Sequence, residues 1–291
     1  MKIQRTLTSL PTLAALCALS CGAPFAAPNL VTEGRVLLVI ANPVIVQPGQ
    51  TLTARALLGG DSTLRTQRWR VCVPVRIDPF PEQRCADGEG IVAHTQQGGD
   101  TLSWTLPTDQ ETLGPWILGA SVDANGNTQR LDQVLASLRT NGLDMLVYVE
   151  AAGANGVVLR SVKRVLMAIT NTPRVPTLAM PRFNFAGTEW SARDGRCVLE
   201  DGSNEHRIPS GLRTIFMPLD TGAGFGENTF HYADGGDFSQ RFDRAVPVSW
   251  TAPRMPGVVT RHWLIVTRRV SRTQGTAVTV SQSCELTVRT E

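Results

Sequence analysis

Arg68-Trp69-Arg70-Val71-Cys72-Val73 alternates with a period of two. Trp69, Val71 and Val73 fall on one face and Arg68, Arg70 and Cys72 on the other, as in a strand with one buried side. A tryptophan at the middle of such a strand is what an immunoglobulin-like sandwich places at its centre. Trp69 is therefore expected in a core. The C-terminal stretch 276–289 has the same period. Val278, Val280, Cys284, Leu286 and Val288 share one face, Thr279, Ser281, Ser283, Glu285 and Thr287 the other, and only Gln282 interrupts the apolar side.

Working outward from Trp69, strands are expected at 35–40, 44–46 and 51–58, with Gln47-Pro48-Gly49-Gln50 as a turn. An irregular excursion over 76–100 follows, then strands at 101–106 and 116–122. Leu131, Val134, Leu135 and Leu138 recur at helical spacing, capped by Asn127 or Thr128 and stopped by Asn141-Gly142. This predicts a helix over 128–139, the longest in the mature chain. A hairpin, 145–151 and 157–169, turns through Gly153-Ala154-Asn155-Gly156. Asn171-Thr172-Pro173-Arg174-Val175-Pro176 resists both helix and central strand and marks a boundary. Beyond it, strands are expected at 212–217, 228–232, 246–251, 258–270 and 276–289.

The fold class is therefore all-β: two tandem immunoglobulin-like β-sandwiches with one short helix in the first domain. The domains span 35–172 and 173–291, and Trp69, Trp104, Trp250 and Trp263 should be largely buried. Ser103-Trp104-Thr105-Leu106-Pro107 recurs as Ser249-Trp250-Thr251-Ala252-Pro253, and each copy precedes a second tryptophan, Trp116 or Trp263, expected on a strand. The recurrence points to a duplicated sandwich.

The N-terminus reads as an export signal over 1–20. Lys2 and Arg5 supply its charge, and 7–19 supplies an apolar core interrupted by Thr8, Ser9 and Pro11. Ala18-Leu19-Ser20-Cys21 approximates a lipobox with its leucine one place late, which makes Cys21 the lipidation site. The alternative is an ordinary secretory signal cut after a small residue such as Gly22. Gly22 after Cys21 favours outer-membrane sorting. Residues 21–34 read as a tether. The apolar run is shorter than the roughly 18 residues a spanning helix needs.

Composition narrows the classes. Hydrophobic residues make up 42% and charged residues 18%, which describes a folded chain with cores. The formal charge is +3, and loss of Lys2 and Arg5 with the signal leaves +1, too little to argue for nucleic acid. With Cys17 removed and Cys21 acylated, Cys72, Cys85, Cys197 and Cys284 remain for two disulfides in an oxidising compartment. Cys72 with Cys85 and Cys197 with Cys284 keeps each bridge within one domain. The first should lie on the face opposite Trp69 and the second in or near the second core.

Val46-Gln47-Pro48-Gly49-Gln50-Thr51, Arg68-Trp69-Arg70-Val71-Cys72, Ser161-Val162-Lys163-Arg164-Val165 running to Asn171-Thr172-Pro173, and Ser249-Trp250-Thr251-Ala252-Pro253 together carry a resemblance. The chain resembles predicted envelope lipoproteins of the myxobacterial type with tandem immunoglobulin- or cadherin-like sandwiches. That resemblance implies the fold and a cell-envelope location. It transfers no activity and no catalytic residues.

No catalytic constellation emerges. There is no G-x-S-x-G and no H-E-x-x-H, and no cysteine spacing fits zinc. His94, His206, His231 and His262 lack ligand spacing and are expected to be surface or half-buried histidines. Gly222-Ala223-Gly224-Phe225-Gly226 lacks the strand and helix a phosphate cradle needs. Asp123, Asn125 and Asn127 begin a calcium-loop pattern, but its twelfth position is Val134. Glu200-Asp201-Gly202-Ser203-Asn204-Glu205 reads as a solvated turn. No cofactor and no metal site are expected. The function class is a non-catalytic binding, adhesive or scaffolding envelope lipoprotein, its partner an envelope protein or surface polysaccharide. The alternatives are a carbohydrate-binding module, which needs coplanar exposed aromatics, and an envelope hydrolase, which needs two carboxylates facing across a cleft. Failing outer-membrane sorting, the location is periplasmic or secreted.

Overall fold

In the computed structural model Trp69 is fully buried on a nine-residue strand, Arg65–Val73. The structure describes residues 30–74, 85, 91–119, 132, 136, 139, 142–168, 178, 182–219, 227–238, 248–271 and 277–291. In order, the strands up to residue 168 are β1 (Arg35–Asn42), β2 (Ile45–Val46), β3 (Thr51–Gly59), β4 (Arg65–Val73), β5 (Ile91–Gln97), β6 (Thr101–Thr105), β7 (Leu143–Ala152) and β8 (Val158–Met167). They form two sheets, β1-β3-β6 and β2-β8-β7-β4-β5. Val39, Leu52 and Leu102 from the first sheet meet Trp69, Val71, Met145, Val147 and Val165 from the second in one apolar core. The Trp69 indole donates to the Gly99 carbonyl at 2.9 Å, so the buried N–H is satisfied.

From residue 182 onward the strands are β9 (Arg182–Phe185), β10 (Thr188–Arg193), β11 (Arg196–Val198), β12 (Glu205–Ile208), β13 (Arg213–Leu219), β14 (Glu227–Ala233), β15 (Asp237–Phe238), β16 (Val248–Thr251), β17 (Val259–Ser271) and β18 (Ala277–Thr290). They form one sheet in the order β14-β17-β18-β11-β10-β9-β13-β16-β15, with β12 paired to β18. The sheet folds over on itself: His231 of β14 stacks on Phe216 of β13 at 4.2 Å. Its core gathers Phe183, Phe185, Trp190, Trp250, Leu264 and Leu286. Trp250 donates to the Gly235 carbonyl at 2.9 Å. Gly236 is required there, because a Cβ on it would lie 2.4 Å from the indole nitrogen.

Both expected disulfides are present. Cys72–Cys85 closes at a Cα separation of 5.7 Å and Cys197–Cys284 at 5.0 Å. The first lies on the outer face of the five-stranded sheet with Leu146 and Tyr148. The second sits inside the second core.

Several expectations are corrected. Residues 116–119 are helical, not strand: α1 (Gln110–Gly119) is a second helix. Asp109 caps it by accepting from the Thr112 amide at 2.7 Å, and Leu113, Trp116 and Ile117 pack on the core at i, i+3, i+4 spacing. The tryptophan after the first Ser-Trp-Thr-x-Pro copy is thus on a helix and its counterpart Trp263 on a strand, so the recurrence does not extend to a structural repeat. The excursion 76–100 contains an edge strand, β5. Of the helix expected over 128–139, Asp132, Ala136 and Arg139 are helical and exposed. Leu131, Val134, Leu135 and Leu138 lie outside the described residues. Trp104 is only half-buried, because β6 ends its sheet. Strands β9 to β12 and β15 lie outside the expected spans; β10 does alternate, with Trp190 and Ala192 buried between exposed Glu189 and Arg193. Finally, Leu30 and Val31, expected in the tether, belong to the fold. Leu30 bridges Ala233 in parallel, and Val31 is buried.

Candidate functional site

A cleft of about 510 Å³ opens beside the first sandwich, lined by Thr32, Glu33, Gly34, Gly60, Asp61, Leu64, Asn155, Val157 and Leu159. Three stretches of chain make it: the segment entering β1, the turn from β3 to β4, and the turn from β7 to β8. Asp61 organises the second of these. Its Oδ1 accepts from the Thr63 amide and from the Thr63 hydroxyl, both at 2.7 Å. Thr63 Oγ1 in turn accepts from the Ala154 amide at 3.0 Å, tying the first turn to the hairpin turn. Asn155 Oδ1 accepts from the Val157 amide at 3.0 Å. Gly60, at φ +84°, lets the turn touch the entering segment, since a Cβ there would sit 2.0 Å from the Glu33 carbonyl oxygen. Leu64 is buried and anchors the floor, while Val157 stands exposed at the rim.

The electrostatics are anionic. Hydrogen bonds from Thr63 hold the Asp61 carboxyl below its ordinary value, with the nearby Arg65 adding to the effect and slight desolvation opposing it. Glu33 is exposed on the facing segment. An ionised, hydrogen-bonded carboxylate beside Leu64, Val157 and Leu159 suits a cationic or N–H-donating group on an apolar body. It does not suit acid catalysis, which needs a carboxyl with a raised pKa.

The residues singled out from sequence are dispersed. Cys21, the segment 222–226 and Asp123, Asn125 and Asn127 lie outside the described residues. In the turn after β11, Asp201 accepts from the Ser203 amide at 2.8 Å and Glu205 from Arg289 at 3.0 Å. Among the described residues, no three His, Cys, Asp or Glu side chains are grouped to hold a metal. Nor is any described helix long and apolar enough to cross a membrane.

Two histidines overturn the expectation of surface or half-buried placement. His231 and His262 are buried, with Nε2 and Nδ1 of the respective rings 2.8 Å apart. The β14–β17 register pairs His231 with Leu264 and Ala233 with His262, which sets the two imidazoles diagonally on the inner face. Thr260 Oγ1 lies 3.0 Å from His262 Nε2, and Phe185, Phe216, Phe238 and Trp250 surround the pair. Burial lowers the His231 pKa to about 3. Burial first, and the neighbouring imidazole second, push His262 well below its ordinary value. The pair is a neutral hydrogen-bonded core element. Alternation could not reveal it, because β17 is apolar on both faces. His94 and His206 are half-buried, and His94 stacks on Trp104 at 5.4 Å.

No protein-family model matches the chain, and no curated protein matches it. Among solved structures it is similar to the fibronectin(III)-like modules of Clostridium thermocellum CbhA, at 12% identity and a TM-score of 0.21, over 87% of this chain and 94% of that one. A 1.5-MDa bacterial ice-binding adhesin matches at 10% identity and a TM-score of 0.22, over 89% and 66% of the two chains. Bacteroides ovatus SGBP-B, solved with a mixed-linkage heptasaccharide, matches at 8% identity and a TM-score of 0.22, over 88% and 67%. At such scores the sandwich architecture rests on the strands and sheets of this chain alone.

Proposed function

We propose that the chain is an exported envelope lipoprotein of the myxobacterial type, anchored through Cys21 in the outer membrane. It has two domains, 35–172 and 173–291, and acts as a non-catalytic binding or scaffolding component. The observation that carries this reading is the pair of disulfides, one in each half of an all-β chain, which belong to an oxidising compartment. The assignment of each strand up to residue 168 to the first two sheets, and of each later strand to the third, supports the division. The cleft at Glu33, Asp61 and Asn155 is the proposed contact for a partner bearing a cationic group.

Carbohydrate binding is the weaker reading. Among the described residues Trp69, Trp116, Trp190, Trp250 and Trp263 are buried, and one face of half-exposed Trp104 is covered by His94. A hydrolase needs a second carboxyl of raised pKa facing the first, and in this cleft the Asp61 carboxyl is held low by its Thr63 hydrogen bonds.

Mass spectrometry of the mature N-terminus tests the anchor. Acyl chains on Cys21, and release of Cys21→Ser into the soluble fraction, are expected. An unmodified terminus downstream of Cys21 overturns it. Pull-down from solubilised envelope with the lipid intact tests the cleft. Asp61→Arg should lose the captured partner, and equal capture by that variant sinks the cleft as the contact.

A further inference from the structure

We propose that the β17–β18 hairpin is a latch between the two sandwiches, pinned by Lys163, so that the chain behaves as one rigid and cooperative unit and does not hinge at the proline-rich segment. The far end of β18 leaves its own core. Val278 is buried in the first core and Val280 packs against it, at the seam where β1 and β8 adjoin. Lys163 reaches this seam from the inner face of β8, where it pairs across the ladder with Val147. It is 8% exposed, donates to the Thr279 carbonyl and lies 3.2 Å from Ser281 Oγ. Arg55 of β3 donates to Ser283 Oγ at 3.2 Å.

The middle of the hairpin face turned toward the first sandwich is covered. Ser281 and Ser283 are each 5% exposed, although serines on an outward face need no burial. Trp263 is fully buried yet stands outside the second core; a Cβ on Gly59 would lie 3.3 Å from its ring. A further attachment is made by the entering segment, whose Val31 amide donates to the Ala233 carbonyl at 2.7 Å. Ala233 is opposite His262 and Val278 is opposite Val270. The attachments near Trp263 and at Val278 are therefore about 24 Å apart along the strand. One contact point permits pivoting, whereas two this far apart fix an orientation.

Lys163 is the only lysine after Lys2, so acylation by N-hydroxysuccinimidyl acetate followed by peptide mapping reads this one site in the mature protein. Lys163 should acylate at least about a hundredfold more slowly than in the urea-unfolded chain, opening only with global unfolding. In rising urea, amide protection in β4 and β10 should be lost together. Acylation within about tenfold of the unfolded rate, or separate urea midpoints for β4 and β10, overturns the latch. Val278→Asp should speed acylation at least about tenfold and separate the two midpoints. An unchanged rate also overturns it. If Val278→Asp does not accumulate, Val278→Thr carries the same comparison with a change close in shape.

Discussion

The two cores are closed by opposite means, and their titration behaviour differs accordingly. The first encloses a dry apolar interior and keeps its charges at the margins. Arg68 pairs with buried Glu150 on the outer face, and Lys163 stands at the seam plugged by the other half of the chain. The second places two imidazoles at its centre and surrounds them with aromatic rings. A marginal charge can keep its proton and find a donor or acceptor from across the seam. A central imidazole must stay neutral to remain buried. The group that responds to alkali therefore sits in the first half, and the pair that responds to acid in the second.

Acid gives the largest effect. The folded-state pKa values of His231 and His262 are depressed below the ordinary imidazole value of 6.5, so the stabilisation is complete above that pH and is lost as pH falls toward about 3. Two such protons give a slope of up to about 2.7 kcal/mol per pH unit. With the halves latched, urea midpoints read by hydrogen exchange in β10 and in β4 should fall together as the pH drops. His231→Phe should flatten the slope by about half. An acid slope left unchanged in His231→Phe would show that the imidazole pair does not govern acid unfolding.

Next in size is the outer-face network. Glu150 takes Arg68 at 2.8 Å and the Tyr148 hydroxyl at 3.1 Å, and Arg160 lies 3.4 Å away. Glu150→Gln should cost about 2 kcal/mol, below the range for a fully buried pair because both arginines are partly solvated. Burial first, and the Glu150 charge second, raise the Tyr148 pKa to about 12. Ultraviolet titration of the phenol should find it lower in the variant. An unmoved phenol would mean that burial alone sets the shift.

Trp104→Ala should cost about 2 kcal/mol, less than a fully buried indole, and with the halves latched it should lower the urea midpoints of β4 and β10 alike. The edge between β5 and β6 is closed by its own side chains: Trp104 lies between His94 and Trp116, and Gln96 donates to the Thr101 carbonyl at 2.8 Å. A midpoint lowered in β4 alone would mean that the two halves unfold separately.

The smallest effect lies in alkali. Burial lowers the Lys163 pKa from 10.5 to about 8, so above pH 8 the folded chain releases a proton that the unfolded chain retains. Stability should rise with pH in that window by less than about 1.4 kcal/mol per unit. Denaturant titrations between pH 8 and 9.5 avoid the opposing ionisation of tyrosine, and Lys163→Met should abolish the rise. A rise that persists in that variant belongs to another group.

Much of this was legible in the sequence wherever a strand runs long enough to show its period. Trp69 and its alternating neighbours, the hairpin at Gly153–Gly156, and strands β13, β14 and β18 all declare themselves, and β17 does so as the continuous apolar run Trp263-Leu264-Ile265-Val266. Both disulfides follow from keeping each bridge on one side of a proline-rich segment. What stayed hidden depends on register and on close approach. Trp116-Ile117-Leu118 has strand composition, and its helix is set by the Asp109 cap upstream. The Asp61 turn is assembled by contacts to Ala154 and Glu33, far away along the chain. The apolar face of β18 reads as one stripe, yet Val278 and Val280 serve one core and Cys284, Leu286 and Val288 the other. Alternation tells which residues are covered, not by what.

The parallel bridge between Leu30 and Ala233 sets the length of a leash. Nine residue steps separate Leu30 from Cys21, so that span cannot exceed about 30 Å even when fully drawn out. With Cys21 in the bilayer as proposed, strand β14 of the later half is held within that distance of the headgroups. Order along the chain is then no guide to height above the membrane. The half made last is tied down as closely as the half made first, and surfaces meant for distant partners must lie away from the β14 edge.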